Sequence, residues 1–420
     1  MVNRRHLTLI AAAAACLFVA TAASADPINA FSATAAPSAV KPSSSTSFTV
    51  KLTNDPASPD RAQRAKIGIP SGFSVAAASV QATTTAVGSC GVSTWVADGE
   101  LIAAQKMNLK RPGTDATALC PGATLTVTFT ATSGAAEGTN AWTSELLRSA
   151  NDAFTLIGNQ PAVVVDGTAP AVALTGKPNN PSNDASPSFV FSSGELATFT
   201  CKLDGGAFEQ CTSPRAYTAL VGGSHTFTVR ATDAAGNTGE ASYSWTVDTV
   251  APTASIATRP SNPSNDTSPG FTFSASEAST FDCKLDAAAF AACTSPRGYT
   301  GVPDGSHTFT VRATDAAGNT GVATYTWDID TVAPAVAITG QPTNPSNVKS
   351  PSFSFTAEQN AAVECKLDQG AVESCSSPKT YSNLGDGGHT FAVTAKDAAG
   401  NTATKTYSWS VDTAAPTTTI

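Results

Sequence analysis

Apolar and polar residues alternate in short runs along most of the chain. Phe189 and Phe191 lie two positions apart, and so do Tyr243 and Trp245. A period of two predicts half-buried β-strands, because successive side chains of a strand point to opposite faces of the sheet. About seven such runs fit between residues 170 and 247, separated by clusters of Pro, Gly, Asn and Ser. No stretch has the apolar stripe of an amphipathic helix, so we predict an all-β chain built from antiparallel sandwiches.

The same pattern occurs three times at a fixed interval of 82 residues. The segment from Cys201 to Asn237 begins again at Cys283 and at Cys365, without insertion or deletion. A fixed period of this length indicates a tandem array of small domains. The predicted repeats are residues 166–247, 248–329 and 330–411, and residues 412–420 are expected to open a further repeat or to form a C-terminal strand.

Short joints separate the predicted repeats. They read DGTAP, DTVAP and DTVAP, and each proline stands a few residues after the last strand of the preceding segment. Proline fixes φ and stiffens such a joint. We therefore expect the repeats to form a semi-rigid stalk.

The first 25 residues have the pattern of a secretory signal peptide. Two arginines precede an alanine-rich apolar run, and an A-x-A motif places cleavage between Ala25 and Asp26. We therefore expect the protein to be secreted or displayed at the cell surface. Two other export signals stay open, namely a twin-arginine signal at Arg4-Arg5 and a lipid anchor at Cys16.

Residues 26–165 lack the 82-residue pattern and are expected to fold as a distinct N-terminal β-sandwich domain. Phe48, Val50 and Leu52 alternate with polar residues, which again predicts a half-buried strand. This domain occurs only once in the sequence. Any specific recognition is therefore expected to lie here.

Eight cysteines remain once the predicted signal peptide is removed. An even number of cysteines in an exported chain favours disulfides. In each repeat the two cysteines lie on either side of a turn, ten positions apart. If the loop has an odd number of residues, they face each other across the hairpin, where a disulfide is geometrically possible and stabilises the domain by roughly 3 kcal/mol. The predicted pairs are Cys90–Cys120, Cys201–Cys211, Cys283–Cys293 and Cys365–Cys375.

The chain is acidic. Its formal net charge is −8, and the value becomes −10 when the signal peptide with its two arginines is removed. Acidity disfavours nucleic acid and anionic membrane as partners. We expect no membrane insertion after signal removal, and an extracellular protein or a glycan as the partner, whose identity the sequence does not specify.

The DAAGN run at Asp233–Asn237, which recurs at Asp315 and Asp397, has two interpretations. Asp and Asn oxygens suit calcium, and Asp248 and Asp330 at the joints could add ligands. Alternatively, the run is a hairpin turn in which Asp accepts hydrogen bonds from local amides and Gly takes the left-handed conformation. We favour the turn and expect no metal or other cofactor, with calcium as the open alternative.

Each repeat has one histidine, at His225, His307 and His389. Each of these histidines opens a predicted strand. A zinc site needs three or four ligands, so a single histidine per repeat favours a structural role.

Tryptophans recur in the last strand of each repeat, at Trp245, Trp327 and Trp409. They share a strand face with Tyr and Val, so we favour core packing over sugar stacking. Trp95 and Trp142 of the first domain are less constrained, and either is a candidate binding aromatic.

Catalytic motifs are absent from the sequence. It contains no G-x-S-x-G, no H-E-x-x-H and no phosphate-binding glycine loop. We predict that the protein is not an enzyme and has no catalytic residues. A carboxylate pair of the glycosidase type within residues 26–165 stays open, because such pairs follow no spacing rule.

Residues 166–420 resemble the bacterial immunoglobulin-like domains that occur in tandem in secreted and cell-surface proteins. The resemblance rests on the DTVAP-type joint, the NPSN…SPSFxF run, the CKLD…C hairpin and GxHTFxVRATDAAGN. It implies Ig-like β-sandwiches that act as a structural or adhesive stalk presenting the N-terminal domain. The alternative function is that of a secreted carbohydrate-binding or carbohydrate-active protein with Ig-like spacers.

Overall fold

The computed structural model describes residues 29–113, 117–149 and 152–417. Within these ranges the chain is nearly all β, with a 3₁₀-helix at Ala77–Ser79 and no α-helix, which confirms the predicted fold class. No helix in this part of the chain has the length and apolarity needed to cross a membrane. The predicted signal peptide, its cleavage site at Ala25 and Asp26, and Cys16 lie outside the described residues.

The chain divides into two compact units. One comprises the described residues up to Gly176 together with Phe189–Arg215 and Phe227–Tyr243. The other comprises Lys177–Ser188, Ala216–Thr226 and the described residues from Ser244 onward. The domain boundaries expected from the sequence stay a prediction.

The N-terminal region is built from short antiparallel strands with few parallel pairings. Its strands are β1 (Ala30–Ala36), β2 (Ala39–Val40), β3 (Ser45–Asn54), β4 (Arg64–Gly68), β5 (Ser74–Val75), β6 (Gln81–Thr84), β7 (Val96–Ala103), β8 (Lys106–Lys110), β9 (Thr124–Thr132), β10 (Gly138–Ala141), β11 (Ser144–Ser149), β12 (Asp152–Ala153), β13 (Thr155–Leu156) and β14 (Ala162–Val165). The larger sheets have the orders β13-β1-β3-β9-β5, with β6 also on β9, and β12-β11-β4-β8-β7, and a small sheet has the order β10-β14-β2.

The aromatic core of this region includes the two tryptophans proposed as binding residues. Trp142 lies 5.1 Å from the ring of Phe129, which stacks on Phe48 at 5.8 Å. Trp142 is 0% exposed and Trp95 is 3% exposed. The interpretation of either as a binding aromatic is therefore wrong, because a ring packed into the core cannot stack on a ligand.

Each repeat has seven strands in two sheets. The first repeat has β15 (Val172–Gly176), β16 (Ser188–Ser193), β17 (Thr198–Leu203), β18 (Glu209–Gln210), β19 (Arg215–Ala216), β20 (Gly223–Thr232) and β21 (Thr238–Val247). The second has β22 (Ala254–Thr258), β23 (Gly270–Ala275), β24 (Thr280–Leu285), β25 (Ala291–Ala292), β26 (Arg297–Gly298), β27 (Gly305–Thr314) and β28 (Thr320–Ile329). The third has β29 (Val336–Gly340), β30 (Ser352–Ala357), β31 (Ala362–Leu367), β32 (Glu373–Ser374), β33 (Lys379–Thr380), β34 (Gly387–Lys396) and β35 (Thr402–Val411).

The sheet orders are the same in all three repeats. A three-stranded sheet has the order β22-β23-β26 in the second repeat, and a four-stranded sheet has the order β25-β24-β27-β28. Between them Phe271 stacks on Phe309 at 4.1 Å and meets Trp327 at 5.2 Å. Trp245, Trp327 and Trp409 are all buried, which confirms their predicted place in the core.

Four disulfides join the cysteines in the pairs expected from the sequence, Cys90–Cys120, Cys201–Cys211, Cys283–Cys293 and Cys365–Cys375. The two cysteines of a repeat do not lie directly opposite each other across the hairpin, however. Cys283 lies opposite Ala291, and the amide of Cys293 donates to the carbonyl oxygen of Phe281. The hairpin turn is closed by a hydrogen bond from the amide of Ala288 to the carbonyl oxygen of Leu285, and Cys293 lies two residues beyond the position opposite Cys283. The bridge therefore runs diagonally, between positions that share a sheet face.

Candidate functional site

The joint between the first two repeats is centred on Asp248, which is hydrogen-bonded on both sides. Its backbone amide donates to the carbonyl oxygen of Ser182 at 2.9 Å. Its own carbonyl oxygen accepts a hydrogen bond from the side-chain amide of Asn319 at 2.7 Å. Ser182 belongs to the preceding repeat and Asn319 to the DAAGN turn of the following one. One residue of the joint is thus bound to both neighbours.

The same arrangement occurs at the other two joints. The backbone amide of Asp330 donates to the carbonyl oxygen of Ser264 at 3.0 Å, and the carbonyl oxygen of Asp330 accepts from the side-chain amide of Asn401 at 2.7 Å. The backbone amide of Asp166 likewise donates to the carbonyl oxygen of Val40 at 2.9 Å, and its carbonyl oxygen accepts from the side-chain amide of Asn237 at 2.8 Å. The first of these joints lies between repeats, and the second follows the N-terminal region. The recurrence shows that the geometry follows from the repeated sequence and not from one local environment.

The DAAGN turn holds this asparagine in position. In the second repeat, Asp315 Oδ1 accepts hydrogen bonds from the amides of Gly318 and Asn319, and its Oδ2 accepts one from Asn319 Nδ2. Burial disfavours the charged carboxylate, but these hydrogen bonds outweigh that effect and hold the pKa of Asp315 below its usual value. Gly318 has a φ of 96°, in the region that favours glycine. The predicted turn is therefore confirmed.

A second hydrogen bond joins the DAAGN turn of one repeat to a loop of the repeat before it. The backbone amide of Asn183, in the NPSN run of the first repeat, donates to the carbonyl oxygen of Ala317 in the second repeat at 3.3 Å. The equivalent bond from Asn265 to Ala399 measures 3.2 Å. Each DAAGN turn between repeats thus contacts both the joint residue and a loop of the repeat before it.

Three carboxylates converge at each of the first two joints. One oxygen each of Asp248, Glu277 and Asp315 lie within 4.8 Å of one another, and the same holds for Asp166, Glu195 and Asp233. Calcium takes six to eight oxygen ligands, with carboxylates, carbonyls and water as the usual donors. The donor set fits such a cation, with three ligands from side chains. The remaining ligands would have to come from backbone carbonyls or water.

The third joint differs at one of these positions. Gln359 stands where the first two repeats have Glu195 and Glu277, and Glu358 precedes it. Both residues line a cavity of about 230 Å³ together with Asp330 and Asp397. The carboxylate of Glu358 accepts a hydrogen bond from the amide of Ala335 at 3.1 Å. The third joint therefore keeps its backbone and asparagine bonds without the three-carboxylate arrangement.

Each histidine fastens a loop to the start of a strand. His307 Nδ1 lies 2.8 Å from Asp286 Oδ2, and its Nε2 lies 2.8 Å from the carbonyl oxygen of Pro303. Both partners are acceptors, so only the doubly protonated imidazolium satisfies both. The hydrogen bond to Asp286 raises the pKa of His307, against the opposing effect of burial. A carbonyl thus occupies the nitrogen that a catalytic base would need, which supports the structural role.

The other two histidines have corresponding bonds. His389 lies 2.8 Å from Asp368 and 2.8 Å from the carbonyl oxygen of Gly385, and the hydrogen bond to Asp368 raises its pKa. His225 lies 2.9 Å from the carbonyl oxygen of Val221. A repeated residue therefore performs a repeated structural task.

Two components of the joint were not identified as functional from the sequence. The sequence predicts Asn319 only as part of a turn, and it gives no specific role to Glu277. Both recur at the 82-residue interval, as Asn237 and Asn401 and as Glu195. Recurrence in the sequence indicates that these residues matter to each repeat. It does not reveal that the side chain of Asn319 bonds a backbone atom 71 positions earlier.

Comparison with known proteins gives the following matches. Residues 336–413 match a protein-family model described as a bacterial Ig-like domain. A tetra-tandem repeat from the extending region of a large adhesion protein is 16% identical, with 92% of this chain and 100% of that one covered and a TM-score of 0.29. A bacterial ice-binding adhesin is 17% identical, with 58% and 98% covered and a TM-score of 0.29. Fibronectin(III)-like modules of Clostridium thermocellum CbhA are 14% identical, with 38% and 94% covered and a TM-score of 0.29. No curated protein matches the chain.

Proposed function

We propose, from the bacterial Ig-like domain at residues 336–413 and its two sequence repeats, that this chain is an exported, non-enzymatic structural or adhesive protein. In this proposal the disulfide-bonded repeats form a stalk that presents the N-terminal domain, residues 26–165. The observation that carries the proposal is the doubly bonded aspartate at each joint, Asp166, Asp248 and Asp330.

A stalk needs joints that limit movement between neighbouring modules. In a short joint without side-chain contacts, the backbone groups would be hydrogen-bonded to water and the backbone dihedral angles would be free to vary. Here the joint residue loses that freedom, because the modules on either side bind its amide and its carbonyl oxygen. This is the property expected of a spacer rather than of independent domains on flexible linkers.

Four disulfides support export from the cytoplasm. Disulfides persist in oxidising compartments and are rare in the reducing cytosol. Each repeat is a small sandwich with one core, so a covalent bridge adds substantially to its stability. Secretion or display at the cell surface accords with these bridges and with the signal-peptide pattern of residues 1–25.

The site geometry favours the structural role over carbohydrate turnover. The candidate binding aromatics Trp95 and Trp142 are buried in the core, and so are Trp245, Trp327 and Trp409 of the repeats. The histidine nitrogens are occupied by carboxylate and carbonyl acceptors in the second and third repeats. We therefore propose that the protein binds or spaces without catalysing a reaction.

We also propose a calcium-type cation at the first two joints. The specific observation is the approach of three carboxylate oxygens to within 4.8 Å in two equivalent places. Like charges this close repel one another, and a bound divalent cation supplies the compensating charge. Asp248, Glu277 and Asp315 would hold it at one joint, and Asp166, Glu195 and Asp233 at the other.

Export and the lack of turnover are tested together on the full gene. The protein would be expressed with residues 1–25 in a bacterial host, and the exported fraction analysed by intact mass. The proposal expects a mass without residues 1–25 and without eight thiol hydrogens, and no release of sugar from a panel of polysaccharides. Retention in the cytoplasm with free thiols, or released sugar, would contradict it.

A further inference from the structure

One sheet face of the N-terminal domain carries a cluster of basic residues. Side chains along β4 and β8 alternate between buried and partly exposed positions. The buried positions hold residues such as Ile67 and Leu109. The outward side chains of the two strands are Arg64, Lys66, Lys106, Asn108 and Lys110, and four of these five are cationic. We call these four cations with Asn108 the basic face.

The strand register brings like charges together on the basic face. Arg64 lies directly opposite Lys110 in the pairing of β4 with β8. Like charges in that position destabilise a sheet. One carboxylate compensates, because Asp98 forms an ion pair with Arg64 and lies 3.7 Å from Lys110. Two cations therefore share one anion.

The remaining charges leave the basic face positive. Lys106 pairs with Glu145 at 3.3 Å. Lys66 lies opposite Asn108 on one side and Glu145 on the other. Four cations thus meet two pairing carboxylates, Asp98 and Glu145. Glu100 adds a third acid on the neighbouring strand, where its carbonyl oxygen accepts from the side chain of Asn108, so the basic face keeps a surplus of at least one positive charge.

Stability alone does not explain these residues. On the other large sheet of the same domain, the outward positions of β9 are all threonine, from Thr124 to Thr132. Threonine is favoured in strands, whereas lysine is depleted there. A threonine at Lys110 would suit the strand better and would remove the like charge opposite Arg64. The cations therefore suggest a task other than folding.

The charge distribution along the chain points the same way. Residues 26–165 contain nine basic and nine acidic residues, a net charge of zero, whereas residues 166–420 have a net charge of −10. Salt screens exposed charges beyond about 8 Å at physiological ionic strength. An anion at the basic face would therefore respond mainly to the local surplus of positive charge.

We propose that the basic face binds a linear anionic polysaccharide with carboxylate or sulfate groups. This inference rests on the proposed role of the N-terminal domain as the presented part of an exported protein. A flat sheet offers cations about 6.6 Å apart along a strand and about 4.8 Å apart between strands. A chain of singly charged sugars presents a comparable line of separate anions. Three of the four cations are lysines, which bind as point charges without requiring a bidentate planar partner.

Nucleic acid fits this surface less well. Single strands are bound by stacking their bases on aromatic side chains. The outward positions of β4 and β8 hold no aromatic residue. Binding of nucleic acid is therefore a competing outcome of the test, and an anionic polysaccharide is the expected ligand.

The test measures binding of the full mature chain to alginate oligomers and to heparin, with neutral dextran as a control, over a series of salt concentrations. The proposal expects binding to at least one anionic polysaccharide, weakening as salt rises, and none to dextran. The double substitution Lys66→Gln and Lys106→Gln should weaken binding about thirtyfold at low salt. The matched control is Lys51→Gln on the outward face of β3, which should change binding less than about twofold.

A gain-of-charge variant protects the test from effects on folding. Asn108→Lys adds a cation in the middle of the basic face and should tighten binding, with melting temperatures of all variants checked in parallel. No binding to either anionic polysaccharide, an equal loss with Lys51→Gln, or a higher affinity for single-stranded DNA of the same charge would overturn the inference. Such a result, with the protein still exported and inactive as a hydrolase, would leave the proposed function standing.

Discussion

The side-chain amide of Asn319 donates a 2.7 Å hydrogen bond to the backbone carbonyl oxygen of Asp248, 71 residues earlier in the sequence. The same amide also donates to the carboxylate of Asp315 at 2.9 Å. One side chain therefore joins the turn that it belongs to with the joint that precedes its repeat. Asn237 and Asn401 make the same two bonds at the other joints.

Replacing this asparagine should destabilise the second repeat. Asn319→Ala removes two hydrogen bonds, and at about 0.5–1.5 kcal/mol each the free energy of unfolding should fall by about 1–3 kcal/mol. Denaturant unfolding of the full chain measures the change. Gln341→Ala, which truncates an exposed amide side chain, is the matched control and should have little effect. Equal stability of the Asn319 variant and the wild type would show that the joint bonds contribute nothing.

Removing a repeat disulfide should cost more. Cys283 and Cys293 close a short loop with a sequence separation of 10, whereas Cys90 and Cys120 are 30 apart. In the loop-entropy description, replacing Cys283 and Cys293 by serine lowers the free energy of unfolding by roughly 3 kcal/mol, and replacing Cys90 and Cys120 lowers it somewhat more. Thermal unfolding of each double variant checks this order. Free thiols at these positions in the native protein would contradict the prediction.

Stability of the second repeat should depend on pH through His307 and Asp286. The raised pKa of His307 contributes stability that is fully present below its ordinary pKa of 6.5 and is lost as the pH rises through the folded value. Burial opposes ionisation of Asp286, but hydrogen bonds from His307 and the amide of Thr308 lower its pKa. That contribution is present above pH 3.8 and is lost as the pH falls through the lowered folded pKa.

The pair is therefore strongest in mildly acidic solution, between these two limits. Asp286 is the charged group that faces the imidazole of His307, and the ring of Trp327 packs against that imidazole with 5.8 Å between ring centroids. His307→Gln should flatten the fall in melting temperature between pH 6 and pH 8 that this repeat contributes in the wild type. A wild-type profile that rises over the same range, or an unchanged slope in the variant, would contradict the assignment.

Calcium should stabilise the first two joints and leave the third unaffected. Adding calcium to protein stripped with EDTA should raise the melting temperature, because a cation relieves the repulsion among Asp248, Glu277 and Asp315. Glu277→Gln makes the second repeat like the third, which has Gln359, and should reduce the gain. Glu358→Gln in the third repeat is the matched control. A melting temperature that neither EDTA nor calcium changes would contradict the proposed cation sites at the first two joints.

Period-two alternation predicted the strands of the repeats well, because their cores need it. Phe189 and Phe191 alternate in the sequence, and both are buried in the structure. Trp327 shares that logic, since it lies on the inner face of a ten-residue strand. The cysteine pairs could also be predicted, because a pair ten residues apart on one hairpin has few other partners.

Features that depend on register or on long-range contacts were beyond sequence reasoning. Cys283 is offset from Cys293 because the turn closes at Leu285, and turn length is not encoded in the alternation. From the sequence Trp142 is only a candidate binding aromatic, because its neighbours in sequence do not reveal that Phe48 and Phe129 pack around it. The bond from Asn319 to Asp248 joins a side chain to a backbone oxygen, and neither pattern nor charge marks such an acceptor.

Hydrogen exchange followed by mass spectrometry tests the joint most directly. In the wild type, the peptides spanning Asp248 and Asp330 should be protected, because both backbone amides are hydrogen-bonded to the preceding repeat. In Asn319→Ala the amide of Asp248 keeps its own bond to Ser182, but the joint loses the bond to its carbonyl oxygen, so the Asp248 peptide should open more often and lose part of its protection. The Asp330 peptide, still held by Asn401, should keep its protection. Joint peptides that exchange at the unfolded rate in the wild type, or that respond equally to the substitution, would contradict the account.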